Sequence, residues 1–191
     1  MAEKKTSSTG LVVLVVAIVV AAVVLFALCR KPKQDPQLAS LHEEIAASAY
    51  DDPDVDFDFY LQKYYRDLEF FGIIPTRPYQ TTIRFANLDK ITDIKHAHAV
   101  SYGYNRDDVI EIYINPSSWA KFTKPMRHWL LYHELTHDIL NVDDLPLTDA
   151  NYGRLMYPVL ISYEHKTMDD FIEAFHEFVG EYKEKRANFQ D

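Results

Sequence analysis

The sequence predicts an α+β domain that follows an N-terminal transmembrane helix. Three observations lead to this fold class: an uncharged apolar run early in the chain, a group of short strand patterns in the middle, and helical patterns on both sides of that group. The expected order is helix, strands, central helix, loop and terminal helix, which is typical of α+β domains. A chain of 191 residues, 48% of them hydrophobic, can form one such domain with an appendage.

The apolar run covers residues 11–29, LVVLVVAIVVAAVVLFALC, and contains no charged side chain. A helix of this length rises about 28 Å, close to the roughly 30 Å thickness of the hydrocarbon core of a bilayer. Cleavable signal peptides have a shorter apolar core of about 7–15 residues. We therefore expect a tail of residues 1–10 and then a single uncleaved anchor in the lipid bilayer. Basic residues flank both ends of the anchor, so the side of the membrane on which the domain lies stays open.

The charge of the chain is divided unequally. Residues 1–33 carry five lysines or arginines and one glutamate, whereas the other 158 residues carry a net charge of −13. An acidic domain argues against nucleic acid as a partner. Cys29 is the only cysteine, which excludes an internal disulfide.

The first elements of the domain follow a polar linker. Residues 30–40 contain two prolines and are expected to connect the anchor to a domain of residues 41–191. Residues 41–50 favour a short helix, and a second helix is expected over about 57–71. One face of this second helix is apolar and consists of Leu61, Tyr64, Leu68 and Phe71. Gly72 is expected to end the helix, because glycine readily adopts the left-handed conformation found after helix C-termini.

The strand patterns come next. Residues 81–87, TTIRFAN, favour one strand. Residues 99–104 and 109–115 are separated by a polar turn and predict a β-hairpin. Pro116 is expected to stop the second strand of this hairpin.

Two longer helices complete the predicted domain. The first is expected from about Pro125, a favourable first-turn residue, to about Leu140. The second is expected over residues 169–186, with Thr167 and Asp170 resembling a capping box at its start. Its apolar face consists of Phe171, Phe175, Phe178 and Tyr182.

The central helix carries the motif HELTHDILNVDD, residues 133–144. His133 and His137 are one turn apart on an otherwise apolar face, which is formed by Met126, Leu130, His133, His137 and Leu140. Two imidazoles in this arrangement can bind one zinc ion. Glu134 projects about 100° away around the helix, where a carboxylate can act as a general base without being a ligand.

This motif and a second one downstream resemble the metzincin metalloproteases, especially the matrixin-like members. Their pattern is HExxHxxGxxH, with aspartate in the last place in a few, followed by a methionine turn often written Met-Tyr-Pro. Here the first motif is followed by RLMYP, residues 154–158. The similarity covers roughly residues 80 to 185 and implies a small twisted sheet, a central HExxH helix, a methionine turn and a C-terminal helix. It also implies a zinc endopeptidase with Met156 in a tight turn beneath the metal.

The third metal ligand is open between two aspartates. The family's turn-forming glycine corresponds to Leu140, and the next residue is Asn141, which tolerates a left-handed conformation. Asp143 occupies the position of the third ligand in the motif, the eleventh residue when His133 is counted as the first. Asp144 lies three residues after Asn141, which is the family's usual distance from turn to ligand, and is slightly favoured. Either oxygen ligand is acceptable to zinc.

The resulting prediction is a membrane-anchored zinc endopeptidase that acts on a protein or peptide. Zinc would be held by His133, His137 and one aspartate, and Glu134 would take a proton from the attacking water. Two alternatives remain: a structural or assembly protein that keeps this fold but has lost activity, and an HExxH hydrolase that acts on a non-peptide amide.

Four further residues are weaker candidates. His96 and His98 alternate along an expected strand and could bind metal, although such pairs are more often surface residues. Tyr157 and Tyr163 could polarise a substrate carbonyl, but aromatic packing is the stronger interpretation of both.

Overall fold

The computed structural model of the protein describes residues 36–103, 108–160 and 165–188. Within these ranges the chain forms five α-helices and one three-stranded sheet, which confirms the predicted α+β class. The elements are α1 (Pro36–Ala47), α2 (Phe57–Phe70), β1 (Gln80–Phe85), β2 (Ala99–Tyr102), β3 (Val109–Ile114), α3 (Pro116–Lys121), α4 (Lys124–Leu140) and α5 (Met168–Asn188). Three short 3-10 turns lie at Leu88–Lys90, Thr92–Ile94 and Asp149–Asn151.

The chain divides into two compact units, residues 1–42 and 43–191. The predicted anchor, residues 11–29, lies outside the described residues. In the part of the chain that the structure describes, no helix has both the length and the apolar character needed to cross a membrane. Helix α1 begins at Pro36, within the predicted linker, and ends at Ala47. The linker interpretation treated this proline as a loop residue, but proline is also favoured in the first turn of a helix.

The central strand of the sheet is β3. It pairs in parallel with β1, from Gln80 opposite Val109 to Phe85 opposite Ile114. On its other side it pairs with β2 in antiparallel orientation, which confirms the predicted hairpin. Most of the side chains of β3 are buried, as expected for a strand with neighbours on both sides: Ile110, Ile112, Tyr113 and Ile114. The order β1-β3-β2 leaves β2 as an edge strand.

Helix α2 begins and ends where the sequence predicts. The Asp56 side chain accepts a hydrogen bond of 2.9 Å from the Phe59 amide and so caps the first turn. Gly72 has a φ of 76° and follows the helix in the left-handed conformation. The buried face of the helix consists of Leu61, Tyr64, Tyr65 and Leu68.

Helix α4 is held in the core by the neighbouring helices and the sheet. It contacts α2, α5 and β2. The Tyr132 ring lies edge-on to Phe171 and Phe175 of α5, with centroid distances of 4.9 and 5.1 Å. One turn further along the same face, Thr136 Oγ1 and Tyr64 Oη of α2 share a hydrogen bond of 2.9 Å. These contacts bury large side chains, at roughly 1.5–3 kcal/mol each, and so make α4 a firm support.

Helix α3 is not predicted from the sequence. Pro116 does end the strand pairing, but it is also the first residue of this helix. The Asn115 side chain accepts a hydrogen bond of 3.0 Å from the Ser117 amide, which caps the helix. An asparagine followed by proline is a recognisable helix start. Here the same two residues also lie at the end of a predicted strand, and the strand pattern by itself indicates only that end.

The start of α5 confirms the predicted capping box. The Thr167 amide donates to Asp170 Oδ2 at 2.7 Å, and the Asp170 amide donates to Thr167 Oγ1 at 3.2 Å. The backbone amides of Thr167 and Asp170, which have no partner within the helix, are therefore both hydrogen-bonded. Phe171, Phe175 and Phe178 are buried as expected.

Candidate metal centre

Helix α4 presents two imidazoles to a surface cleft. His133 and His137 are one turn apart, so their side chains leave the helix on the same side. Their Nε2 atoms are 3.0 Å apart, and their ring planes meet at 89°. Because the opposite faces of α4 are packed in the core, the helix that carries both rings is fixed in place.

The helix ends in a left-handed turn at Asn141. This residue has a φ of 53° and a ψ of 49°, while Leu140 is still helical. The expectation that Asn141 rather than Leu140 turns the chain is therefore confirmed. Asparagine adopts this conformation at low cost, whereas other side chains meet steric conflict there.

The turn brings Asp144 beside the two histidines. Its Oδ1 atom lies 3.2 Å from His133 Nε2 and 3.4 Å from His137 Nε2. Among the described residues, these three side chains form the one cluster whose ligand atoms could hold a metal ion. Asp143 does not line the cleft and instead borders a separate cavity beside Pro75. The geometry thus favours Asp144 over Asp143, although metal binding itself stays a prediction.

Backbone carbonyls determine which nitrogen of each imidazole carries the proton. His133 Nδ1 lies 3.0 Å from the Leu155 carbonyl oxygen, and His137 Nδ1 lies 2.6 Å from that of Val142. A carbonyl can only accept, so each Nδ1 must donate a proton. In the neutral rings both Nε2 lone pairs then face each other across 3.0 Å. Two facing acceptors repel, and the repulsion is removed either by a proton on His137 Nε2, which the raised pKa of this residue favours, or by a metal cation between the two atoms.

The arrangement of the three side chains shifts the pKa values of His137 and Asp144. Burial acts to lower the pKa of His137, but the hydrogen bond to Asp144 and the negative charge of Glu134 outweigh it and raise the pKa to about 9. For Asp144 burial acts to raise the pKa, but hydrogen bonds from His133 and His137 hold it well below its usual range. The carboxylate is therefore ionised at neutral pH. The two shifts have a common cause, because the imidazolium form of the histidine and the ionised aspartate stabilise each other.

The spacing of the three donor atoms matches a tetrahedral metal site. Tetrahedral zinc ligands at about 2.0–2.1 Å from the ion lie about 3.3–3.4 Å from one another. The three distances here are 3.0, 3.2 and 3.4 Å. Two imidazoles with hydrogen-bonded Nδ1 atoms and one carboxylate are also a donor set that such an ion accepts. The residues present therefore fit the metal that the sequence motif implies.

The cluster forms the floor of an open cleft of about 580 Å³. Glu134 lines the same cleft but is not one of the three clustered donors. The cleft is also lined by residues 96–99, which lead into the edge strand β2, and by residues 157–160. A molecule bound in the cleft would contact the three clustered side chains and the Glu134 carboxylate together.

A tight turn at residues 154–157 supports the cluster from the side. The Tyr157 amide donates to the Arg154 carbonyl at 3.1 Å, and Met156 within the turn is buried. The turn presents the Leu155 carbonyl to His133. Met156 thus lies in a tight turn, and its position beneath a metal stays a prediction. The Leu155 and Val142 carbonyls have no side-chain signature, so sequence reasoning did not find them.

The weaker candidates lie partly in the cleft. His96 and His98 line it, but both precede β2 instead of lying on a strand, which corrects the predicted placement. His98 Nδ1 forms a hydrogen bond of 2.8 Å with Ser118 Oγ, and burial lowers its pKa. Tyr157 also lines the cleft. Tyr163 lies outside the described residues.

Comparison with known proteins adds no family to this description. No protein-family model matches the sequence, and no curated protein or solved structure is similar to it. The functional argument therefore depends on the residues of the cleft.

We expect the left-handed turn to be sensitive to the residue type at position 141. Asn141→Val should lower the free energy of unfolding by about 1–2 kcal/mol and weaken metal binding, because a β-branched residue is strained there. Asn141→Gly is the matched control and should preserve both properties, since glycine accepts a positive φ. Urea unfolding and metal titration would measure these effects. Equal losses in both variants would mean that the asparagine side chain, and not its backbone conformation, supports the site.

Proposed function

We propose that this protein is a membrane-anchored, zinc-dependent endopeptidase. The observation that carries the proposal is the convergence of three donor atoms: two imidazole Nε2 atoms and Asp144 Oδ1, separated by 3.0 to 3.4 Å. Hydrogen bonds from both Nδ1 atoms to backbone carbonyls support it, because they leave the Nε2 lone pairs available to a metal. His133, His137 and Asp144 would be the protein ligands.

The bound metal would lower the pKa of a water molecule and polarise a carbonyl group, as zinc does with three protein ligands and one open position. The protein's own part is to hold this position open towards the cleft. The Asp144 side chain is 48% exposed, whereas those of His133 and His137 are 14% and 18% exposed. The two imidazoles thus form the buried side of the site, and Asp144 lies at its solvent side.

Glu134 would be the general base and then the general acid. Its carboxylate lines the cleft beside the cluster without belonging to it, so it is available to exchange protons. It would accept a proton from the attacking water and transfer a proton to the amide nitrogen of the leaving peptide. The carboxylate is regenerated, and one water is consumed for each bond cleaved.

The cleft favours cleavage within a chain over removal of a terminal residue. Among the described residues that line it there is no lysine or arginine, the side chains that most often bind a terminal carboxylate. It is also bordered by Ala99 of the edge strand β2, and an extended peptide can pair with an exposed strand edge. Both features suit an internal segment of a polypeptide.

The apolar run at residues 11–29 would anchor this domain in the bilayer. Its length matches the hydrocarbon core, and a short polar segment separates it from α1. The anchor and the cleft together define an enzyme that acts close to a membrane surface.

An activity assay on a denatured protein tests the proposal. The full chain in detergent, purified without a histidine tag, should cleave the substrate at internal bonds, lose this activity on chelation, and regain it with Zn²⁺. Mass spectrometry of the products would distinguish internal cleavage from terminal trimming. Zinc binding without peptide cleavage but with hydrolysis of small amides would favour the non-peptide alternative. A chain that binds no zinc would be the inactive structural protein.

A further inference from the structure

The most exposed large hydrophobic side chains of the described residues lie together in the sequence. Phe70, Ile74 and Tyr79 are 83%, 82% and 93% exposed. The next most exposed large hydrophobic side chain is that of Leu147, which is 67% exposed. All three belong to residues 70–79, FFGIIPTRPY, which join α2 to β1 and are here called the α2–β1 segment. Single exposed hydrophobic residues are ordinary, but three within ten residues make this segment unusually apolar for an exposed one.

The α2–β1 segment is fixed in place, so the exposure does not result from a loose chain. Ile73 is buried, and its amide donates to the Leu68 carbonyl at 2.9 Å. Further along, the Arg77 guanidinium lies 4.2 Å from the centre of the Tyr65 ring and donates to Glu69 at 2.9 Å. The segment is therefore tied to α2 at both ends, and it holds its apolar side chains outward.

The chain before the domain keeps this surface close to the bilayer. Only the six residues 30–35 separate the apolar run from α1, and they span at most about 20 Å when extended. The seven α1 residues before Glu43 add about 10 Å. A domain on so short a connection stays at the membrane surface, where even weak contacts become effective because they are intramolecular.

The chemistry of the α2–β1 segment suits the lipid interface. Aromatic side chains such as Phe70 and Tyr79 are favoured at the boundary between headgroups and acyl chains. The domain as a whole is acidic, with a net charge of −13 over residues 34–191, and would be repelled by anionic lipid. An apolar contact with zwitterionic lipid is therefore the interaction that this face can make.

We propose that the α2–β1 segment inserts Phe70, Ile74 and Tyr79 into the interface of the bilayer that holds the anchor. The segment is a second membrane contact, too small to bind lipid by itself and effective because the anchor keeps it nearby. The proposal rests on the proposed anchor and is independent of the metal centre. It fixes which face of the domain is turned towards the membrane.

Fluorescence quenching in reconstituted vesicles tests this orientation. The full chain with Cys29→Ser and Thr76→Cys is labelled with a polarity-sensitive fluorophore and placed in phosphatidylcholine vesicles that contain lipids brominated on the acyl chain. We expect a blue-shifted emission and several-fold quenching at position 76. The same label at Thr148→Cys, another exposed threonine, is the matched control and should be quenched little.

A second substitution links the quenching to the apolar side chains. Ile74→Asp in the Thr76→Cys protein should abolish it, while Leu147→Asp, at the next most exposed hydrophobic residue, should not. Protein that does not float with the vesicles would overturn the anchor and this contact together. Protein that floats, but whose label at position 76 is no more quenched than at position 148, would overturn the α2–β1 contact alone. In that case the surface would instead be available to a protein partner.

Discussion

Glu134→Ala is expected to abolish peptide hydrolysis while the bound metal and the fold are retained. A positioned general base contributes about 10²–10⁴-fold to such a reaction, so the loss in kcat/KM should be at least of this order. The metal should remain, because the Glu134 carboxylate is not one of the three clustered donors. Steady-state kinetics and metal analysis of the same preparation would measure both effects.

The matched control for this variant is Glu173→Ala, which removes an exposed glutamate of α5. It should leave kcat/KM and metal content unchanged. Substantial activity in Glu134→Ala would show that another group accepts the proton, and the mechanism proposed for this cleft would be wrong. A loss of metal in the same variant would make Glu134 a ligand.

His137→Ala is expected to remove metal binding, activity and the stabilisation that metal provides. The substitution deletes one of the two imidazole donors and the hydrogen bond to the Val142 carbonyl. Zinc at 100 times its Kd should stabilise the original protein by about 2.7 kcal/mol, which would raise its Tm. The variant should show no such rise. Thermal unfolding with and without zinc would measure the difference.

His176→Ala is the corresponding control. His176 is exposed on α5, where its ring lies against Phe71. This variant should keep the zinc-dependent rise in Tm. An undiminished rise in His137→Ala would contradict the assignment of the two histidines, because one imidazole and one carboxylate could not hold the ion as tightly.

The features of the site that depend on local chemistry could be predicted from the sequence. The helical spacing of His133 and His137 predicted that they share one face of α4, and the Nε2 distance of 3.0 Å agrees with this. The choice between Asp143 and Asp144 depended on which residue adopts a left-handed conformation. Asparagine does so at lower cost than leucine, and Asn141 is the residue with positive φ.

Features that depend on the folded backbone could not be predicted in this way. The carbonyls of Val142 and Leu155 orient the two imidazoles, but every residue has a carbonyl and the sequence does not mark these two. The parallel pairing of β1 with β3 likewise joins segments more than twenty residues apart, and no local pattern specifies the partner. His96 reaches the cleft through the chain that precedes β2, so its place also depends on the tertiary fold.

The other differences between the predicted and the observed elements involve prolines, which can end a strand or begin a helix. Pro36 lies in the predicted linker, and Pro116 lies at the predicted end of a strand. In the structure each is the first residue of a helix. Proline cannot donate a backbone hydrogen bond, which disrupts a strand or a helix interior but costs nothing in a first helical turn. At Pro116 the preceding residue indicates a helix start and not only a strand end, because the Asn115 side chain caps the helix.

Zinc titration of the full chain beside its Asp144→Ala and Asp143→Ala variants tests the central claim most directly. All three proteins should be free of affinity histidine tags, so that any zinc bound belongs to the site. The account predicts one zinc per chain, an affinity lowered at least about tenfold, or about 1.4 kcal/mol, by Asp144→Ala, and a much smaller change for Asp143→Ala. Absence of bound zinc in the unmodified chain, or equal affinities in all three proteins, would contradict the metal centre of His133, His137 and Asp144.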